Sequence, residues 1–221
     1  MLYDFSVQRM NAYSESLFRK RQRAVAATTF VEAAEQVIAG KGYAGATMQD
    51  IASKAGCAVG TLYLHFKNKE DLFNALVTRH THAIVARAAQ DGAGKADPLE
   101  QLRRRNAALI AYFNEHREFF RIFYAAGVTG KADIAANLRG SALRTYYAGK
   151  ALETDLVRKA QKAGLVRRDI PAGEMVEFIH GVMMATLARW STAQTLPPPL
   201  EQARLIWGLI GSGLGAVGGK R

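Results

Sequence analysis

Hydrogen-bond donors gather in one short stretch of the chain. Thr61, Tyr63, His65, Lys67 and Lys69 place a hydroxyl, a phenol, an imidazole and two ammoniums within nine residues. Groups of these types donate to phosphate oxygens. No acid occurs between Asp50 and Glu70, while Lys54 falls inside the same window. The chemistry this pattern serves is the binding of an anion, not bond making or breaking.

The elements that must position these donors are short and capped. Thr47 is a good N-cap, and Asp50, three residues on, completes a capping box. Met48, Ile51, Ala52 and Ala55 give an apolar helical face, which Gly56 ends as a left-handed C-cap. A second short helix is expected over about Ala58–His65. Asn68 then caps a third, with Asp71 at the capping-box position. Short helix, glycine-containing turn and short helix make a helix-turn-helix, whose second helix lies in the DNA major groove. Ahead of it, Ala27, Phe30, Val31, Ala34, Val37 and Ile38 recur at helical spacing and mark a supporting helix closed near Gly40–Gly42. Leu62 and Phe66 are expected to point back into that small core.

The run AGCAVGTLYLHFKNKEDLFNAL, with Gly42-Tyr43 and Thr47 upstream, resembles the DNA-binding domain of the tetracycline-repressor (TetR) family of transcriptional regulators. The resemblance covers roughly Arg21 to Leu76. Beyond it the chain resembles the family only in its all-helical pattern. The resemblance implies phosphate contacts from Thr47, Tyr63, His65 and Lys69, and places Val59, Gly60, Thr61 and Leu64 where the family faces base edges. Two departures bear on this. Ala58 stands where such proteins often carry a Ser cap, and Val59 and Gly60 offer no side-chain hydrogen bond. Direct readout would then rest on Thr61 and on apolar contact with thymine methyls.

The chain has 221 residues and a formal charge of +11. That charge does not localise the reading head: residues 1–70 carry a net +3 and residues 71–221 a net +8. Arg19 to Arg23 (RKRQR) reads either as an arm reaching the DNA backbone or minor groove, or as a solvated helix start. The single cysteine, Cys57, excludes a disulfide framework and fits a reducing compartment. No run of eighteen apolar residues and no signal-peptide core appear, so a cytoplasmic location is expected. The signatures of an enzyme are missing too. His80 and His82 are two apart and cannot share a helix face, Gly94-Lys95 lacks the rest of a P-loop, and there is no G-x-S-x-G or HExxH. No catalytic residue, metal site or cofactor is expected.

The expected organisation is an N-terminal extension (1–20), a helix-turn-helix domain (21–70), a connecting helix and loop (71–97) and a helical effector-binding and dimerisation domain (98–221). The loop Asp91 to Pro98 is the expected boundary. In the last segment the Leu99–Phe113 stripe opposes Arg103, Arg104 and Arg105, read as a solvated face. An aromatic helix over Glu115–Ala126 ends at Gly127, and a long one runs from about Asp133 to Gly164. Pro171 is placed at the first turn of the next, and the last runs from Leu200 to about Val217.

Aromatic and soft side chains are many for the helices of one domain. Phe113, His116, Phe120, Tyr124, Tyr147, His180, Met183 and Met184 form the expected ligand set, although at helical spacing such residues also suit a plain core. The positive balance favours an acidic hydrophobic ligand, an acyl thioester or an aromatic acid. The last two helices are apolar over more than one face, and a second apolar stripe wants a partner. The resemblance makes that partner a second subunit, with Val182, Leu187, Ile206, Trp207 and Ile210 at the interface; the alternative is deep burial within one chain. The reading is an all-α homodimer that binds a near-palindromic operator on double-stranded DNA, as a repressor released by a small hydrophobic effector. The alternatives are a helical small-molecule-binding protein or enzyme with an incidental helix-turn-helix, or a nonspecific architectural DNA binder.

Overall fold

The computed structural model describes residues 2–91, 97–125 and 138–214, and among them every regular element is an α-helix. The chain divides into two compact units, Met1–Leu76 and Val77–Arg221. The division falls inside a helix, not at the Asp91–Pro98 loop expected from its glycines, and residues 92–96 of that loop lie outside the described residues.

The first unit holds α1 (Leu2–Gly45), α2 (Met48–Lys54), α3 (Val59–Tyr63) and the start of α4 (Lys69–Asp91). Helix α1 takes in the N-terminal stretch as well as the supporting helix. It breaks at Gly42, whose φ of 71° is a left-handed value that L side chains rarely adopt. Helix α2 starts and stops on signals encoded within a few residues. The Thr47 hydroxyl accepts from the amide of Asp50 at 3.1 Å, and the Asp50 carboxylate accepts from the amide of Thr47 at 3.2 Å. At the other end Gly56, with φ 70°, donates to Ser53, and Cys57 donates to Ala52. That pair of bonds is a Schellman motif. Helix α3 is shorter than the Ala58–His65 expected, and Ala58 caps it with no side-chain bond. Asn68 accepts from the amide of Asp71 at 2.8 Å, whereas the Asp71 carboxylate accepts from Lys67 rather than from Asn68.

Phe30, Val31, Ala34 and Ile38 of α1, Ile51 and Ala52 of α2, Leu62 and Phe66, and Leu72 and Leu76 of α4 are all buried, and α1 packs on α2. Burying each large side chain contributes about 1.5–3 kcal/mol. Leu62, fully buried, anchors α3 and so fixes which of its side chains face outward.

The second unit comprises the later turns of α4 with α5 (Pro98–Glu115), α6 (Arg117–Ala125), α7 (Gly140–Lys162), α8 (Ala172–Ser191) and α9 (Pro199–Leu214). Asp97 caps α5, accepting from Leu99 and Glu100, with Pro98 in the first turn. The expected start of α7 near Asp133 and the stop at Gly127 lie outside the described residues, and Arg139 is the N-cap of α7. Pro171 is the N-cap of α8 rather than its first helical residue, because its ψ of 140° is extended. Side-chain amides tie the helices together. Asn114 of α5 and Gln202 of α9 exchange two hydrogen bonds of 3.1 and 3.0 Å, and the Gln161 amide donates to the carbonyls of Arg167 and Ile170 in the turn after α7. His80 is buried, bonded through Nδ1 to the Tyr112 hydroxyl at 2.8 Å and stacked on Phe119, while His82 is exposed. The two face different surroundings, as their spacing requires.

Candidate nucleic-acid interface and effector cavity

The outer side of α3 carries the side chains expected to meet DNA. Thr61 is exposed, Tyr63 is 52% exposed and Leu64 73%, while Leu62 between them has no exposure. Gly60 is exposed, with no atom within 4 Å of where a Cβ would stand, and Val59 is half-buried. Backbone can therefore approach closely at Gly60, with hydroxyl and phenol beside it.

The other expected contacts are engaged with the protein itself. The Thr47 hydroxyl donates to Asp50 at 2.8 Å as well as capping α2. The Lys41 ammonium lies 2.7 Å from the same carboxylate. Those bonds from Lys41 and Thr47 hold the Asp50 carboxyl below its ordinary range. The Lys69 ammonium donates to the carbonyls of Tyr43 at 2.7 Å, Ala46 at 2.9 Å and Ala44 at 3.3 Å, and lies 4.6 Å from the centre of the Tyr43 ring. Its donors are thus occupied by the chain that follows the Gly42 break. His65 is half-buried, its ring edge-on to Phe30 at 5.0 Å. It also borders an open recess with Arg19, Gln22, Arg23 and Ala26 of α1. The basic run and His65, far apart in sequence, share one surface.

The second unit holds a partly open cavity of about 130 Å³ among α4, α5, α6, α7 and α8. Five residues of the expected ligand set stand on its wall: Phe120, Tyr124, His180, Met183 and Met184. Three do not. Phe113 is fully buried core against Phe120 and Trp190, His116 packs on Tyr112 and His80, and Tyr147 is half-exposed on the outer side of α7. Tyr146, one residue before, takes the wall position instead. Burial pushes the Tyr124 phenol far above its ordinary value, and its hydroxyl donates to the Met184 sulfur at 3.4 Å.

The wall also carries charge that sequence reasoning assigned elsewhere. Arg103 and Arg104 are exposed, but Arg105 is 4% exposed and lines the cavity. Successive helical residues turn by about 100°, so three adjacent arginines cannot share one face. The signal was present in Leu102, Arg105, Asn106 and Leu109, a core stripe interrupted by two polar residues. Arg105 donates to the Ala88 carbonyl at 3.3 Å, and its Nε lies 3.7 Å from Glu153. Glu153 lies 2.6 Å from His180 Nε2, and His180 Nδ1 lies 3.3 Å from the Tyr146 hydroxyl. Lys150, also on the wall, pairs with Glu177.

Residues 30–76 match the family model for bacterial regulatory proteins of the tetR family. Residues 30–76 thus form a tetR-family segment within the N-terminal unit. The fatty acid metabolism regulator protein of Bacillus subtilis is 40% identical over 72 residues, 33% of this chain and 37% of that protein. The transcriptional regulator TtgR of Pseudomonas putida is 39% identical over 87 residues, 38% of this chain and 40% of that protein. The chain thus spans about two fifths of the length of these curated relatives. Solved structures extend the likeness in fold to the second unit. The transcriptional regulator FadR from Bacillus subtilis, in complex with stearoyl-CoA, superposes with a TM-score of 0.72 at 21% identity, over 85% of this chain and 98% of that one. The fatty acid degradation regulator FadR from Bacillus halodurans gives 0.70 at 21% identity, over 88% and 99%.

The expected interface residues need correction in part. Leu187, Ile206 and Ile210 have no exposure and belong to the core of their own unit. Val182 and Trp207 are half-buried, and the Arg103 guanidinium lies 5.5 Å from the Trp207 ring. The outward apolar stripe runs instead through Phe178, Gly181 and Ala185 of α8 and Leu205, Gly208 and Leu209 of α9. Both helices are apolar nearly all round, so hydropathy alone did not tell the inner stripe from the outer one.

Proposed function

We propose that this chain is a ligand-responsive transcriptional regulator, a repressor released from a near-palindromic operator by a small hydrophobic effector. The observation that carries the reading is the outer side of α3, where Thr61, Tyr63 and Leu64 stand exposed above a fully buried Leu62 within the family-matched segment. We assign base-edge contacts to Val59, Gly60, Thr61 and Leu64, and phosphate contacts to Tyr63, His65 and the basic face of α1. Thr47 and Lys69 act by holding α2 and the end of α1 in place. The regulator works as a homodimer in the cytoplasm, paired through the outward stripe of α8 and α9. Two heads then meet half-sites about 34–36 Å apart, or a multiple of that.

The cavity supports the effector half of the reading, and so does the stearoyl-CoA held by the FadR structure of similar fold. Helix α4 begins in the N-terminal unit and its later turns, from Val77 to Ala88, line the cavity. A ligand there biases α4 between two positions and weakens DNA binding by as much as its own affinity differs between them. Footprinting of the purified protein on DNA flanking its own gene, over a salt series, tests the proposal. A protected, near-symmetric site with steep salt dependence is expected. Binding without a preferred site would indicate an architectural role instead, and no binding at low salt would remove the regulatory reading.

A further inference from the structure

One end of the cavity is polar, and its donors and acceptors have a direction. A carboxylate can only accept, so in the neutral imidazole His180 donates Nε2–H to Glu153 and leaves Nδ1 to accept from the Tyr146 hydroxyl. Glu153 is thereby held in place. Arg105, a side chain only 4% exposed, lines the same space, and among the described residues its Nε–H finds no acceptor within hydrogen-bond distance, the Glu153 carboxylate standing 3.7 Å away. A buried donor without an acceptor costs free energy that a bound oxygen would recover. Tyr124 adds a second under-used donor, because a thioether sulfur is a weak acceptor.

With the neutral imidazole, charge at this end is balanced. Glu153 offsets Arg105, and Glu177 offsets Lys150. A ligand carboxylate would add a buried negative charge beside Glu153 and compete with it for Arg105. An uncharged oxygen takes the Nε–H without disturbing that balance. We propose, on the effector reading above, that the cavity selects an apolar molecule whose head is an uncharged oxygen acceptor, a carbonyl of an ester, thioester or ketone or a hydroxyl, and that Glu153 excludes the free carboxylate. This keeps the thioester half of the expectation drawn from charge and drops the free-acid half.

The test is isothermal titration calorimetry of the full chain at neutral pH with methyl decanoate, decanol and decanoate. Methyl decanoate and decanol bind, and decanoate binds about tenfold more weakly or worse, a difference of about 1.4 kcal/mol. Glu153→Gln removes the competing charge at constant shape, so decanoate gains about tenfold while methyl decanoate changes little. Decanoate binding the unaltered protein as tightly as the ester would overturn the proposal, and that ratio decides even if the variant fails to fold. An unchanged ratio in a folded Glu153→Gln protein would overturn it as well. If none of the three binds while the chain still protects its operator, the proposal fails and the regulatory reading stands. The predicted preference without any effect on DNA binding upholds the proposal and sinks the effector reading.

Discussion

The two units bury apolar helix stripes in the same way and place their polar groups in opposite directions. In the first, Thr61 and Tyr63 face out while Leu62 and Phe66 face in, so its hydrogen-bonding capacity is available to a large external partner. In the second, Arg105, Glu153, His180 and Tyr146 meet on the wall of a small, partly open cavity. On the proposed function, the same residue types serve a polyanion when turned outward and a ligand head when turned inward. Burial decides which.

The largest effect that would sharpen this contrast is on the second core. Phe113, fully buried, is structural by this account, so Phe113→Ala is expected to cost about 3–5 kcal/mol. Urea unfolding followed by hydrogen exchange should show the loss in helices α5 to α9, with protection of Leu62 and Ile51 retained. Uniform loss across both units would blur the comparison. Next in size is Lys69→Met. With three carbonyl acceptors at its ammonium, Lys69 is expected to contribute about 1–3 kcal/mol to the first unit. The salt slope of operator binding should stay unaltered. A slope smaller by about one with unchanged stability would return Lys69 to the phosphates.

Tyr63→Ala works the other way. The phenol is half-exposed, so the unfolding midpoint should hardly move while operator affinity falls about tenfold, read by fluorescence anisotropy. The smallest effect is on acid stability. Asp50 is the stronger acid in the folded protein, so its contribution is complete above the ordinary carboxylate range and is lost as pH falls through the folded value. Thermal melts over roughly pH 5 to 2 should show the first unit weakening, and Asp50→Asn should flatten that part of the profile.

The first unit was legible because its instructions are local. Thr47 with Asp50, Gly56 with φ 70°, and Asn68 with the Asp71 amide each act within three residues, so order along the chain is enough to read them. Even there, the carbonyl acceptors of Lys69 were not legible, since Tyr43 to Ala46 lie more than twenty residues away. The second unit was legible in class and not in detail. Tyr147 and Tyr146 differ by one position, about 100° of helix, and only packing shows that Tyr146 is the one on the cavity wall. The polar end of the cavity joins residues of α5, α7 and α8 that no sequence spacing relates. Three of the five expected interface residues were placed on the wrong stripe for a similar reason, because Leu187, Ile206 and Ile210 are as apolar as the outward Leu205 and Leu209.

Coupling between the outward-facing head and the inward-facing cavity is the central claim, and linkage gives its most direct test. Methyl decanoate affinity is measured by calorimetry on the protein alone and on the protein saturated with operator DNA. If the cavity governs DNA release, the ligand binds the DNA complex more weakly, by the same factor by which it weakens operator binding. Equal affinity in both states would contradict the account, leaving a reading head and a cavity that share a chain but no function.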